Sequence, residues 1–179
     1  MANTKISALT AITDPDPADV LVIIDDPAGT PASRKITVES LLRTFLPIST
    51  GGANSTGRKT VYNTTTDATQ TELFTDGSSS RLSIPSDTTW FFRAYITARR
   101  TDADNESAAY SLEGCIDNNA GTTAIVGTYM KLIFAEDTTA WDVVASADNT
   151  NDALIIDVTG EASKTIDWVA TVDIVEITG

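Results

Sequence analysis

Residues Thr88 to Arg100, TTWFFRAYITARR, alternate strictly enough to limit the fold. Trp90, Phe92, Ala94, Ile96 and Ala98 fall on one side of an extended chain. Phe91, Arg93, Tyr95, Thr97 and Arg99 fall on the other. Period two is the pattern of a strand with one face in a core, whereas a helical wheel would scatter the arginines and aromatics around its axis. Burying each large side chain of the first set is worth roughly 1.5–3 kcal/mol, so this strand can anchor a sheet. Thr165 to Ile177, TIDWVATVDIVEI, repeats the pattern: Ile166, Trp168, Ala170, Val172 and Ile174 alternate with Asp167, Val169, Thr171, Asp173 and Val175.

Around these two strands the chain from residue 59 reads as all-β. Further candidate strands are Lys59–Thr64, Gln70–Thr75, Ser80–Ile84, Ser107–Asp117, Thr122–Val126, Tyr129–Glu136, Ala140–Ala145 and Ala153–Val158. Turn chemistry separates them, as at Asp76-Gly77, Pro85-Ser86-Asp87 and Asn118-Asn119-Ala120-Gly121. Short strands at regular spacing predict a sandwich or barrel. The expected class is mainly β, an antiparallel β-sandwich of jelly-roll-like type, over residues 59–179.

Residues 1–47 differ. An acidic turn, Asp14-Pro15-Asp16-Pro17, precedes a compact apolar strand, Val20 to Asp25. Loop chemistry at Asp26 to Pro31 leads to a short strand at Arg34-Lys35-Ile36 that pairs back as a hairpin. Thr37 is a good N-cap for a short helix, residues 38 to 45, which Pro47 ends. A strand–hairpin–helix unit this small is marginal alone, so it is expected to dock on a partner, with Val20, Val22, Ile24, Leu41, Leu42 and Phe45 as the docking residues. Residues 48–58 have the Gly/Ser/Thr composition of a flexible linker.

Charge and residue types narrow the function. The net charge is −13, from 12 Lys and Arg against 25 Asp and Glu. No basic cluster offers a nucleic-acid footprint. There is no histidine, which removes imidazole bases and His-containing zinc sites. The single Cys115 is expected to be a buried or half-buried structural thiol. No apolar run approaches the roughly 20 residues of a membrane span, and MANTKISALT lacks the apolar stretch of a signal peptide. The chain is therefore expected to be made in a cytoplasm, without membrane insertion.

Candidate chemistry is sparse. Glu136, Asp137 and Asp142 flank Trp141, an arrangement compatible with sugar chemistry; a turn at Asp137 and a core role for Trp141 explain it better. Asp102-Ala103-Asp104-Asn105-Glu106 resembles the start of a calcium loop, with Glu113 at the twelfth place, but lacks the glycine at the sixth. No catalytic set, cofactor or metal site is expected, and the chain reads as no enzyme. Phe91 and Tyr95, outward on the best strand, with Arg93, Arg99 and Arg100, are the candidate interface, because aromatics and Arg are enriched at contact surfaces.

Two stretches resemble tailed-bacteriophage virion proteins. Lys5 to Leu9, Asp19 to Asp25 and Lys35 to Leu42 are similar to an N-terminal attachment segment of tail-fibre and other appendage proteins. Thr64 to Thr71, Ile84-Pro85, Ala98 to Thr101, Ser107 to Tyr110, Trp141, Val158-Thr159-Gly160 and Trp168 to Val172 resemble a β-domain of phage structural proteins. The resemblance implies a virion protein, a homotrimer docked on other virion proteins of capsid, neck or tail. It leaves open a short fibre, a neck or head appendage, or a capsid decoration protein. A different class of function is a carbohydrate-binding module that recognises a host-surface glycan through Phe91, Tyr95 or Trp141.

Overall fold

The computed structural model describes residues 20–25, 32–37, 54–103 and 105–179. The chain divides into two compact units, Met1–Ile48 and Ser49–Gly179. In the first, β1 (Val20–Asp25) and β2 (Ala32–Thr37) form an antiparallel hairpin, with Val20 opposite Thr37 and Asp25 opposite Ala32. The expected helix, with Leu41, Leu42 and Phe45, lies outside the described residues.

The second unit is an antiparallel β-sandwich. Its larger sheet runs β3 (Asn54–Thr65), β12 (Ile166–Thr178), β6 (Thr88–Arg100), β7 (Ser107–Asn119). Beyond β7 lies a lane shared by β8 (Thr122–Ile125) and β9 (Met130–Glu136), which pair with successive parts of it. The smaller sheet orders β10 (Asp142–Asp148), β11 (Ala153–Thr159) and β4 (Gln70–Glu72), with β5 (Leu82–Ser83) also on β11. Residues 54–58, expected to be linker, are the start of β3. Their turn-like composition is tolerated because they pair through backbone with Arg58 opposite Asp173 and Asn54 opposite Ile177.

The two long strands sit side by side at the centre, and both alternations hold. Trp90, Phe92, Ala94, Ile96 and Ala98 are buried, as are Ile166, Trp168, Ala170, Val172 and Ile174. Register makes their sizes complementary: Ala98 faces Trp168, Ile96 faces Ala170, and Ala94 faces Val172. Large against small lets a close-packed layer form without strain. Val143, Leu154, Ile156 and Val158 close the core from the smaller sheet. Trp141 is buried and packs on Trp168, ring centroids 5.6 Å apart and tilted by 57°. Trp168 Nε1 donates to Thr65 Oγ1 at 2.9 Å, which satisfies its one donor, whereas Trp141 Nε1 is buried without a hydrogen-bond partner among the described residues.

Candidate interaction surface

Cross-strand register lays the outer face of the larger sheet out in rows. One runs Arg58, Asp173, Arg93, Glu113, Met130 from β3 to β9. Asp173 accepts both Arg58 Nε, at 2.6 Å, and Nη2, at 3.2 Å. That hydrogen bonding holds its carboxyl below the usual carboxylate range. Arg93 Nη2 donates to Glu113 Oε2 at 3.0 Å. Charges of alternating sign thus neutralise one another along the row.

Apolar rows flank it. On one side Tyr95, Ser111 and Leu132 stand in register across β6, β7 and β9. On the other are Phe91 and Cys115, with Val126 held beside them by its amide on the Cys115 carbonyl at 2.8 Å. Phe91 is 46% exposed and Tyr95 44%, so the two aromatics of the expected interface do face outward. Cys115 is half-buried, and burial raises its thiol pKa. Ser111 is buried in the middle of this surface.

The arginines divide. Arg93 is held between Glu113 and Tyr95, whose hydroxyl accepts Nη1 at 3.4 Å. Arg99 Nη1 donates to Ser107 Oγ at 3.2 Å. Arg100 instead closes the β6–β7 turn: Nε donates to Asp102 at 2.7 Å and Nη1 to Glu106 at 3.2 Å. Lys164 then joins Glu106 to Glu161, at 2.7 and 2.6 Å. Arg100 is therefore largely internal.

Sequence reasoning placed a strand at β9 but not its exposure. Met130 is 58%, Leu132 47%, Ile133 48% and Phe134 63% exposed, on a strand read as an ordinary sandwich member. An irregularity explains part of this: Ala109 faces Ala135 while the adjacent Tyr110 faces Ile133, which leaves Phe134 unpaired in the ladder. A second interruption lies between β8 and β9. Residues 126 to 129 stand opposite only 114 and 115, and Gly127 takes φ 74 there. Among the described residues β9 pairs with β7 alone, so its other edge is open.

The remaining candidates are occupied. Glu136 accepts the Tyr110 hydroxyl at 3.1 Å, Asp137 accepts the Ser107 amide at 2.8 Å, and Asp142 pairs with Lys131 at 2.5 Å. Glu113 lies within β7, on Arg93, far from a loop position. Asp104 lies outside the described residues. A cleft of about 420 Å³ is lined by Arg58, Lys59, Arg81, Ser83 and Trp90 among others. Its cations look like an anion site, but Asp173 takes Arg58 and Glu72 takes Arg81. Trp90 Nε1 also brings in Glu176, at 2.6 Å. Little positive charge is left over.

No family model matches the chain, and no curated protein matches it significantly. Among solved structures it is similar to a tailspike protein of the Acinetobacter baumannii bacteriophage Fri1, described as a capsular polysaccharide depolymerase. The identity is 13% and the TM-score 0.34, over 80% of this chain and 22% of that one. The chain thus spans less than a quarter of the tailspike's length. Because that protein is an enzyme, the expectation that this chain is no enzyme is withdrawn.

Proposed function

We propose that this chain is a structural component of a tailed-phage particle, an appendage such as a short fibre or a head or neck fibre. In this reading the N-terminal unit docks on the particle and the sandwich projects from it or caps its neighbours. The observation that carries it is the uncovered apolar surface on β6, β7 and β9, where monomers seldom leave so much apolar area open. The resemblance of residues 5–9, 19–25 and 35–42 to an appendage attachment segment supports the docking role. Deleting residues 1–47 is expected to abolish incorporation into particles while the sandwich keeps its far-ultraviolet β signature. Normal incorporation of the truncated chain would overturn the reading.

A second reading, recognition of a host-surface glycan, draws on Phe91 and Tyr95, exposed on either side of Arg93. Trp141 is no part of it, since it is buried. Replacing both aromatics by Ala should abolish any signal on a glycan array. A signal that survives would place recognition elsewhere.

A further inference from the structure

Leu132, Ile133 and Phe134 follow one another on β9, and they are 47, 48 and 63% exposed. Successive side chains of a strand point to opposite faces, so β9 is uncovered on both. Its far edge is open as well, since among the described residues it pairs with β7 alone. Its sequence, MKLIFAE, holds no proline to keep a neighbour off. A flat partner would cover one face and leave the other apolar. An added strand satisfies the edge amides and carbonyls and lays its own side chains along both faces.

Charge then selects the strand. The cations near β9 are already taken, Lys131 by Asp142 and Arg93 by Glu113. Three carboxylates beside it meet no cation among the described residues. Glu136 accepts the Tyr110 hydroxyl, Asp137 the Ser107 amide, and Asp117 the Asn119 side-chain amide, all neutral donors. They stand at opposite ends of the lane beyond β7. Glu136 faces Ala108 at one end, with Asp137 next to it, and Asp117 faces Ala124 at the other. From Ala108 to Asp117 the extended chain covers about 30 Å. The apolar residues Val126, Met130, Leu132, Ile133 and Phe134 lie along that lane. A net charge of −13 opposes any acidic occupant and attracts a basic one.

We propose that the open edge of β9 receives an extended segment of a different protein, apolar along its middle and carrying Lys or Arg toward both ends. The middle covers Leu132, Ile133 and Phe134, while the cations reach Asp117 at one end and Glu136 with Asp137 at the other. The inference rests on the virion reading and deepens it, by giving the chemistry of the neighbour that the sandwich caps.

Fluorescence anisotropy with labelled synthetic peptides tests it on the full chain. The probe is a peptide of about ten residues, the length that spans the two acidic ends, alternating Val and Thr with Lys at both termini. A second peptide carries Glu in place of Lys. The Lys peptide should bind about tenfold tighter, because it gains exposed ion pairs where the other meets like charges, and high salt should erase the difference. Asp117→Asn with Glu136→Gln and Asp137→Asn should also erase it. Their amide oxygens can still accept the same hydrogen bonds, so the β signature should remain. Leu132→Ser with Phe134→Ser, both at exposed positions, should abolish binding of either peptide. A Lys peptide that fails to bind at millimolar concentration, a Glu peptide that binds equally well, or a preference that survives neutralisation overturns the proposal. So does a chain that self-assembles in light scattering until Leu132 and Phe134 become Ser, which would give the edge to a second copy. A glycan-array signal lost in that same variant would give it to a saccharide and overturn the proposal too. A Lys peptide that does not bind a chain still found in particles would defeat this inference and spare the virion role; binding by a chain absent from particles would do the reverse.

Discussion

Gly160 has no side chain because Thr65 occupies the space one would need. A Cβ there would overlap Thr65 Oγ1 and lie 2.8 Å from the Asp67 carbonyl oxygen. The same Thr65 hydroxyl accepts Trp168 Nε1, so the glycine guards the hydrogen bond of the central tryptophan. Gly160→Ala should cost about 1–3 kcal/mol through overpacking, read as a lowered denaturation midpoint. Thr65→Val removes the acceptor while keeping the shape, and should cost about 1–3 kcal/mol for the orphaned donor. No change in either variant would mean that this corner is loosely packed.

Asp157 gives a pH-dependent test at the same scale. Burial raises its carboxyl pKa, and it stands opposite Glu72, whose pKa burial also raises despite the neighbouring Arg81. A carboxyl with a folded-state pKa above its unfolded one opposes folding when ionised, and the opposition fades as pH falls through the raised value. Asp157→Asn should therefore raise the melting temperature at pH 7 by about 1–3 °C. The advantage should shrink toward acid pH. A variant less stable than the parent at pH 7 would contradict this.

Among the elements, β6 and β12 carry the most order, and their pairing depends on small residues facing large ones. Ala98→Leu sets a larger side chain against Trp168 across the register. It should cost about 1–3 kcal/mol, and a neutral result in chemical denaturation would show slack in the layer. These strands were legible because one face is buried and the other is wet, which is what alternation reports. The start of β3 was illegible for the opposite reason. Asn54 to Arg58 carry turn-forming residues, and only pairing with β12, through the backbone ladder and the Ser55–Glu176 and Arg58–Asp173 side-chain bonds, holds them extended. β9 was legible as a strand, but its apolar residues on successive positions fix neither face as the buried one. Nothing in one dimension separates a core from an uncovered surface. Among the arginines, alternation alone sets Arg100 on the side of Trp90 to Ala98 and Arg93 on the outer one, and the structure adds Asp102 and Glu106 as the partners of Arg100.

At the scale of the molecule, the sandwich has a closed interior and one surface left unfinished. Its cations are mostly paired with carboxylates of the chain itself, as in the Arg58–Asp173 and Arg93–Glu113 row. What remains available is apolar area and a strand edge on β9, the features a neighbouring subunit can cover. Amide hydrogen exchange across residues 130–136, in the free chain and in assembled particles, tests this most directly. The account predicts fast exchange along the open edge of β9 in the free chain and slow exchange in particles. Equal exchange rates in the two states would contradict it.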